Sequence, residues 1–219
     1  MSKIKLKFEI ETNKIRSFEK YFTNIFDYLN LSTHSMTTKE YQNYFQSIIN
    51  QEITSSPYDD SHYLEYTKLN LSRFNRWLKN GEIQPENIDV ILAISEPQEW
   101  VIISEPWCGD AAHSVPFLMK LASFNSLIDI KFQLRDSENS EIDSYLTNGT
   151  KSIPLLIVRK NGEDIFRWGP RPKSCQEFIN ELKKSDPSFE QLKEKIQKWY
   201  NEDKGTEIQN EICNLVKSV

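Results

Sequence analysis

The sequence predicts an α/β fold in which a mixed β-sheet is flanked by helices, a three-layer arrangement with an added N-terminal helical region and C-terminal helices. Three observations predict it. The middle of the chain alternates between helical and strand periods. Two of its strand candidates are separated by a helix, which suits a parallel pair. Two further strand candidates are joined by Asn161-Gly162, the dipeptide of a tight hairpin.

The elements follow in order. Lys3, Lys5 and Lys7 alternate with Ile4, Leu6 and Phe8, a strand-like period. From Lys14 the apolar residues Ile15, Phe18, Phe22, Ile25, Phe26 and Leu29 recur at three and four, one stripe of a helix. Thr37 and Glu40 form a capping-box pattern ahead of Tyr41, Tyr44, Phe45, Ile48 and Ile49. Ser55, Ser56 and Pro57 break the chain before a third helix from about Ser61 to Leu78. These aromatic stripes read as core. Pro85 opens a short helix with Ile88, Ile91 and Leu92 on one side.

Trp100–Ser104 (WVIIS) reads as a buried strand, Gly109–Ser123 as a helix and Ile128–Leu134 (IDIKFQL) as a strand. Ser140 caps a short helix through Leu146, ended by Asn148 and Gly149. IPLLIV and EDIFRW form the hairpin strands. Ser174 and Glu177 read as a capping box for the next helix, and Asp186-Pro187 as the N-cap and first residue of another. The latter carries Phe189, Leu192, Ile196 and Trp199. Gly205 breaks it before a last amphipathic helix with Ile208, Ile212, Leu215 and Val216. The chain thus divides into an N-terminal mostly helical extension (1–83), a core (84–184) and a C-terminal helical tail (185–219).

Composition narrows the function. With 38% hydrophobic, 27% charged and 12% aromatic residues in 219, the chain reads as an ordinary globular protein. A net charge of −5 provides no general attraction for nucleic acid or anionic lipid. The apolar runs are too short to span a bilayer, and the start has no signal-peptide pattern, so a cytoplasmic protein without membrane partners is expected. Cys108, Cys175 and Cys213 are widely spaced, and His34, His62 and His113 are scattered. Neither a disulfide framework nor a zinc motif is visible, so no metal and no cofactor are expected.

Four stretches carry a family likeness: EPWCGDA at 105–111, Arg135-Asp136, SIP at 152–154 with its apolar strand and KNGE, and WGPRP at 168–172. Together with the element order, they resemble the thioredoxin superfamily, and within it a bacterial group of thioredoxin-like proteins with a WCGDA-type site. The resemblance covers the middle part most closely. It implies that Pro154 is a cis-proline facing Cys108 and that Ile153 offers its backbone to an extended substrate. It also implies that the loops carrying Arg135 and Arg171 approach the site. Two positions depart from classical thioredoxins. Ala111 stands where the second active-site cysteine would be, and Ile102 where the preceding strand carries a buried acid.

Cys108 is the expected catalytic residue, with Trp107, Gly109, Asp110, Arg135, Ile153, Pro154 and Arg171 as the substrate-binding set. The helix that follows Cys108 should lower its thiol pKa, while the Asp110 carboxylate works against that, and the sequence does not fix the sign of the sum; the catalytic reading expects a value below that of a free thiol. His113 lies about 140° around the helix from Cys108, so it should not face the sulfur. One thiol can attack a disulfide, but the mixed disulfide then needs a low-molecular-weight thiol, Cys175 or Cys213 to resolve it. The expected function is a monothiol thiol-disulfide oxidoreductase acting on a protein thiol or disulfide or on a low-molecular-weight thiol. The alternatives are a non-catalytic thioredoxin-fold binding module and, more remotely, an iron–sulfur carrier.

Overall fold

Strand β1 (Gln98–Ser104) forms the centre of a four-stranded sheet. Its residues are buried apart from half-buried Glu99, as expected of a strand covered on both faces. The computed structural model describes residues 35–219. The strand expected near Lys3–Phe8, the helix expected from Lys14 and His34 fall outside the described residues.

Before β1 come helices α1 (Thr38–Ile49), α2 (Ser61–Asn80) and α3 (Pro85–Leu92). The Thr37 hydroxyl accepts from the Glu40 N–H at 3.3 Å, and the Glu40 carboxylate accepts from the Thr37 N–H at 2.7 Å, so the capping box is complete. The break before α2 contains a cis Ser56–Pro57 bond. After β1, helix α4 (Gly109–Ser123) crosses to β2 (Ile128–Leu134), which pairs parallel with β1. Strands β3 (Leu155–Lys160) and β4 (Glu163–Trp168) form an antiparallel hairpin, and β3 pairs antiparallel with β1. The sheet order is therefore β2-β1-β3-β4, mixed as expected and flanked by helices. Asn161 and Gly162 take φ of 53° and 83°, the left-handed pair that a two-residue hairpin turn requires.

Three local expectations are corrected. The helix expected from Ser140 to Leu146 is a short 3-10 segment, Glu141–Ser144. Helix α5 (Lys173–Lys183) has no capping box at Ser174 and Glu177. Its first N–H, on Lys173, is taken instead by Glu211 of helix α7 (Thr206–Lys217) at 2.7 Å, and the Ser174 hydroxyl donates to Glu207 at 2.9 Å. Tertiary partners thus replace the local cap. Helix α6 (Phe189–Asp203) starts two residues later than Asp186-Pro187 predicts. Ser188 and Gln191 make the capping box, and Asp186 takes φ 48°.

The core is one large cluster with a small second one around Cys175, Ile179 and Tyr200. Trp100, Ile102, Ile103, Phe132, Leu156, Ile157 and Val158 form its sheet layer, with Phe45, Phe74, Phe117 and Leu118 from the helices. Tyr41 stacks on Phe132 at 4.3 Å between ring centres. The tail belongs to this architecture: α7 inserts Ile208, Ile212, Cys213 and Val216 into the core. Gly205, at φ 81°, lets α6 turn into α7 against the Phe117 ring, which any side chain there would overlap.

Candidate functional site

The chain leaves β1 at Ser104, and Glu105-Pro106-Trp107 turns it into α4. The Cys108 N–H closes this turn on the Glu105 carbonyl at 3.0 Å. Cys108 is the N-cap of α4, and its sulfur accepts from the Ala111 N–H at 3.4 Å. Its thiol donates to the Ile153 carbonyl at 3.4 Å, and the Ile153–Pro154 bond is cis. Gly109 lets Tyr66 approach closely: a Cβ there would lie 2.7 Å from the Tyr66 hydroxyl, which would have to shift.

The electrostatics of this turn differ from the expectation. Burial pushes the Cys108 thiol up to about 12, and the Asp110 carboxylate adds to the rise. The Ala111 and Asp110 N–H groups and Arg171 oppose it. The expected lowering at the helix N-terminus is present as a contribution but loses to desolvation, because Cys108 is only 7% exposed. Asp110 is held by Arg171 Nη2 at 2.5 Å and by the Tyr200 hydroxyl at 2.7 Å. Arg171 Nη1 also donates to Gln176 at 2.9 Å.

Trp107, Cys108, Gly109, Asp110, Arg135, Ile153 and Arg171 all line one cleft. Pro154 is the one member of the expected set that does not line it; its carbonyl packs against Gly169. The Arg135 guanidinium sits 4.5 Å over the Trp107 ring and pairs with Asp136 at 2.6 Å. His113 is bonded to Trp77 and Gln197 rather than to the sulfur. Its Nδ1 accepts from the Trp77 indole N–H at 2.9 Å and its Nε2 meets Gln197 Oε1 at 2.7 Å. An indole only donates, so Nε2 carries the proton and the ring is neutral. Burial accordingly pushes its pKa down to about 4. Cys175 is buried against Ile179 and Tyr200, and its thiol is also pushed up to about 12, first by burial. Cys213 is buried in the main core, its thiol donating to the Asn87 carbonyl at 3.7 Å.

Several residues of the site went unread in the sequence. Glu105 is 5% exposed and accepts from the Tyr58 hydroxyl at 3.4 Å and the Asp136 N–H at 3.3 Å. Burial pushes its carboxyl up to about 7. The buried acid missing at Ile102 thus has a counterpart nearer to the thiol in sequence. Its position between a buried strand and the Cys108 turn was the available signal. Tyr200, Gln197 and Phe189 bring α6 over the site. Phe189, placed by periodicity on the buried stripe, is 69% exposed and lines the cleft. Among the described residues, no group of three His, Cys, Asp or Glu side chains is placed to hold a metal ion. No helix among them is long and apolar enough to cross a membrane.

Known proteins resemble this arrangement. An HIV epitope-scaffold crystal structure superposes with a TM-score of 0.54 at 11% identity, covering 88% of this chain and 98% of its own. A protein of unknown function from Pseudomonas aeruginosa superposes with a TM-score of 0.53 at 12% identity, covering 84% and 98%. At such identities the likeness is one of fold alone. No curated protein matches the chain. A family model described as thioredoxin matches residues 57–183, from the turn before α2 to the end of α5. With the mixed sheet and the Cys108 turn beside cis-Pro154, that match means that the chain belongs to this thioredoxin family.

Proposed function

We propose that the protein is a thioredoxin-fold oxidoreductase of the single-cysteine type, exchanging Cys108 with a disulfide held in the cleft. The observation that carries this reading is the position of the sulfur. Cys108 Sγ caps α4 and lies 3.4 Å from the Ile153 carbonyl, at the floor of an open cleft. Neither other thiol lines that cleft.

In the step itself, the Cys108 thiolate attacks one sulfur of a partner disulfide. A new S–S bond forms, the partner's bond breaks, and the departing sulfur leaves as a thiolate that takes up a proton. An external thiol then attacks the mixed disulfide, releases Cys108 as a thiol and remains joined to the partner. Ala111 provides no second sulfur, so resolution comes from outside. Trp107, Gly109, Asp110, Arg135, Ile153, Pro154 and Arg171 hold the substrate in this reading. The partner is a protein thiol or disulfide, or a low-molecular-weight thiol. We place the reaction in a bacterial cytoplasm, where a thiol pool is available for resolution.

A second reading is favoured by one observation. A thiol pushed to about 12 is almost wholly protonated at neutral pH, which suits a non-catalytic module that uses the cleft only to bind. Incubation with a small disulfide and intact mass measurement separates the two. The oxidoreductase forms a Cys108 adduct that added thiol removes. A native protein that stays unmodified at Cys108 is a binding module.

A further inference from the structure

The cleft over Cys108 is larger than one small thiol needs. Its volume is about 1670 Å³, beyond the roughly 300–1,000 Å³ of pockets that enclose small molecules. Much of its far wall belongs to α6 and α7, outside the residues that the family model matches. Seven lysines and arginines line it against two carboxylates, in a chain whose net charge is −5. Both carboxylates are occupied: Asp110 by Arg171 and Tyr200, and Glu211 by the Trp168 indole at 2.6 Å and the Lys173 N–H at 2.7 Å.

The cations are not all occupied in return. Arg135, Lys151 and Lys193 pair with Asp136, Asp143 and Glu190. Arg167 on β4 and Lys183 at the end of α5 are exposed, and their side chains have no hydrogen-bond or ion-pair partner among the described residues. Apolar surface lies in the same wall. Phe189 is 69% exposed, Tyr63 is 40% exposed, and Tyr63 meets the Trp107 ring edge-on.

We infer that the cleft receives an extended acidic polypeptide segment. Its carboxylates meet Arg167 and Lys183, its apolar side chains lie on Trp107 and Phe189, and its sulfur reaches Cys108. The inference rests on reading the Cys108 cleft as the substrate site. Charge complementarity selects the segment, and the volume of the cleft favours a polypeptide over a small thiol. A nucleic acid fits less well, because Asp110, Glu211 and the overall negative charge oppose a phosphate backbone.

The test uses the full chain carrying Cys108→Ser, which cannot exchange disulfides. Short labelled peptides of acidic, neutral and basic charge, sharing the same apolar residues, are titrated by fluorescence anisotropy. The acidic peptide should bind about tenfold tighter than the neutral one at low salt, and the advantage should shrink at high salt. Adding Arg167→Glu and Lys183→Glu, both exposed, should cost the acidic peptide about tenfold and favour the basic one. Equal affinity for all three peptides overturns the inference, as does an acidic preference that survives charge reversal. Glutathione competing as well as the acidic peptide overturns the polypeptide assignment. Acidic preference in this variant, with no Cys108 adduct in the unmutated protein, leaves the inference standing and removes the oxidoreductase reading.

Discussion

Two carboxylates flank Cys108, Glu105 three residues before it and Asp110 two after, and the fold treats them in opposite ways. Asp110 is gripped by Arg171 from the loop after β4 and by Tyr200 from α6. Glu105 lies under the turn, 5% exposed, and its carboxylate accepts long hydrogen bonds from Tyr58 and the Asp136 N–H, with no salt bridge among the described residues. One acid anchors the C-terminal roof of the site, while the other is a buried, easily protonated group beneath its floor. What packs against a carboxylate, more than its sequence distance from the thiol, decides its role.

The largest way to break this contrast is Asp110→Ala. It leaves the Arg171 guanidinium and the Tyr200 hydroxyl without their shared partner, and should cost about 3 kcal/mol in chemical denaturation. Glu105→Gln tests the floor. The native carboxyl has a pKa raised from 4.5 to about 7, so the unfolded chain ionises first. Stability should therefore fall as pH rises from about 4.5 to 7 and level off above, a loss of roughly 3 kcal/mol at most. The Gln variant should lack that slope when denaturation midpoints are compared across pH.

His113 should add an acid-side slope of the opposite sign. Its folded pKa is lowered from 6.5 to about 4, so its contribution is complete above pH 6.5 and is lost as pH falls towards 4. Tyr200→Phe keeps the stacking on His113, whose ring lies 4.5 Å away, and removes the hydroxyl's bonds to Asp110 and Cys175. It should cost about 1 kcal/mol by thermal unfolding. Arg135→Ala removes an exposed pair and a cation–π contact and should cost under about 1 kcal/mol in the same measurement.

The mixed sheet and the extent of α4 were legible because apolar runs, the Asn-Gly turn and the Cys108 turn are local signals. The capping box at Thr37 was legible for the same reason. The starts of α5 and α6 were not, since Glu211 caps α5 from a distant helix and Ser188 outcompetes Asp186. Of the residues grouped by family likeness, all but Pro154 line one cleft. The thiol's environment was misread because burial cannot be deduced from a cysteine's place before a helix. Glu105 escaped notice because its desolvation depends on Tyr58 and on the Asp136 loop, which are distant in sequence.

The most direct measurement is intact and peptide mass spectrometry of the native protein after brief exposure to a peptide disulfide. If Cys108 is an exchanging thiol, one mixed disulfide forms at Cys108, Cys175 and Cys213 stay unmodified, the adduct grows faster as pH rises, and a small thiol reverses it. A protein that remains unmodified at Cys108 while folded, and reacts only when denatured, would contradict the account.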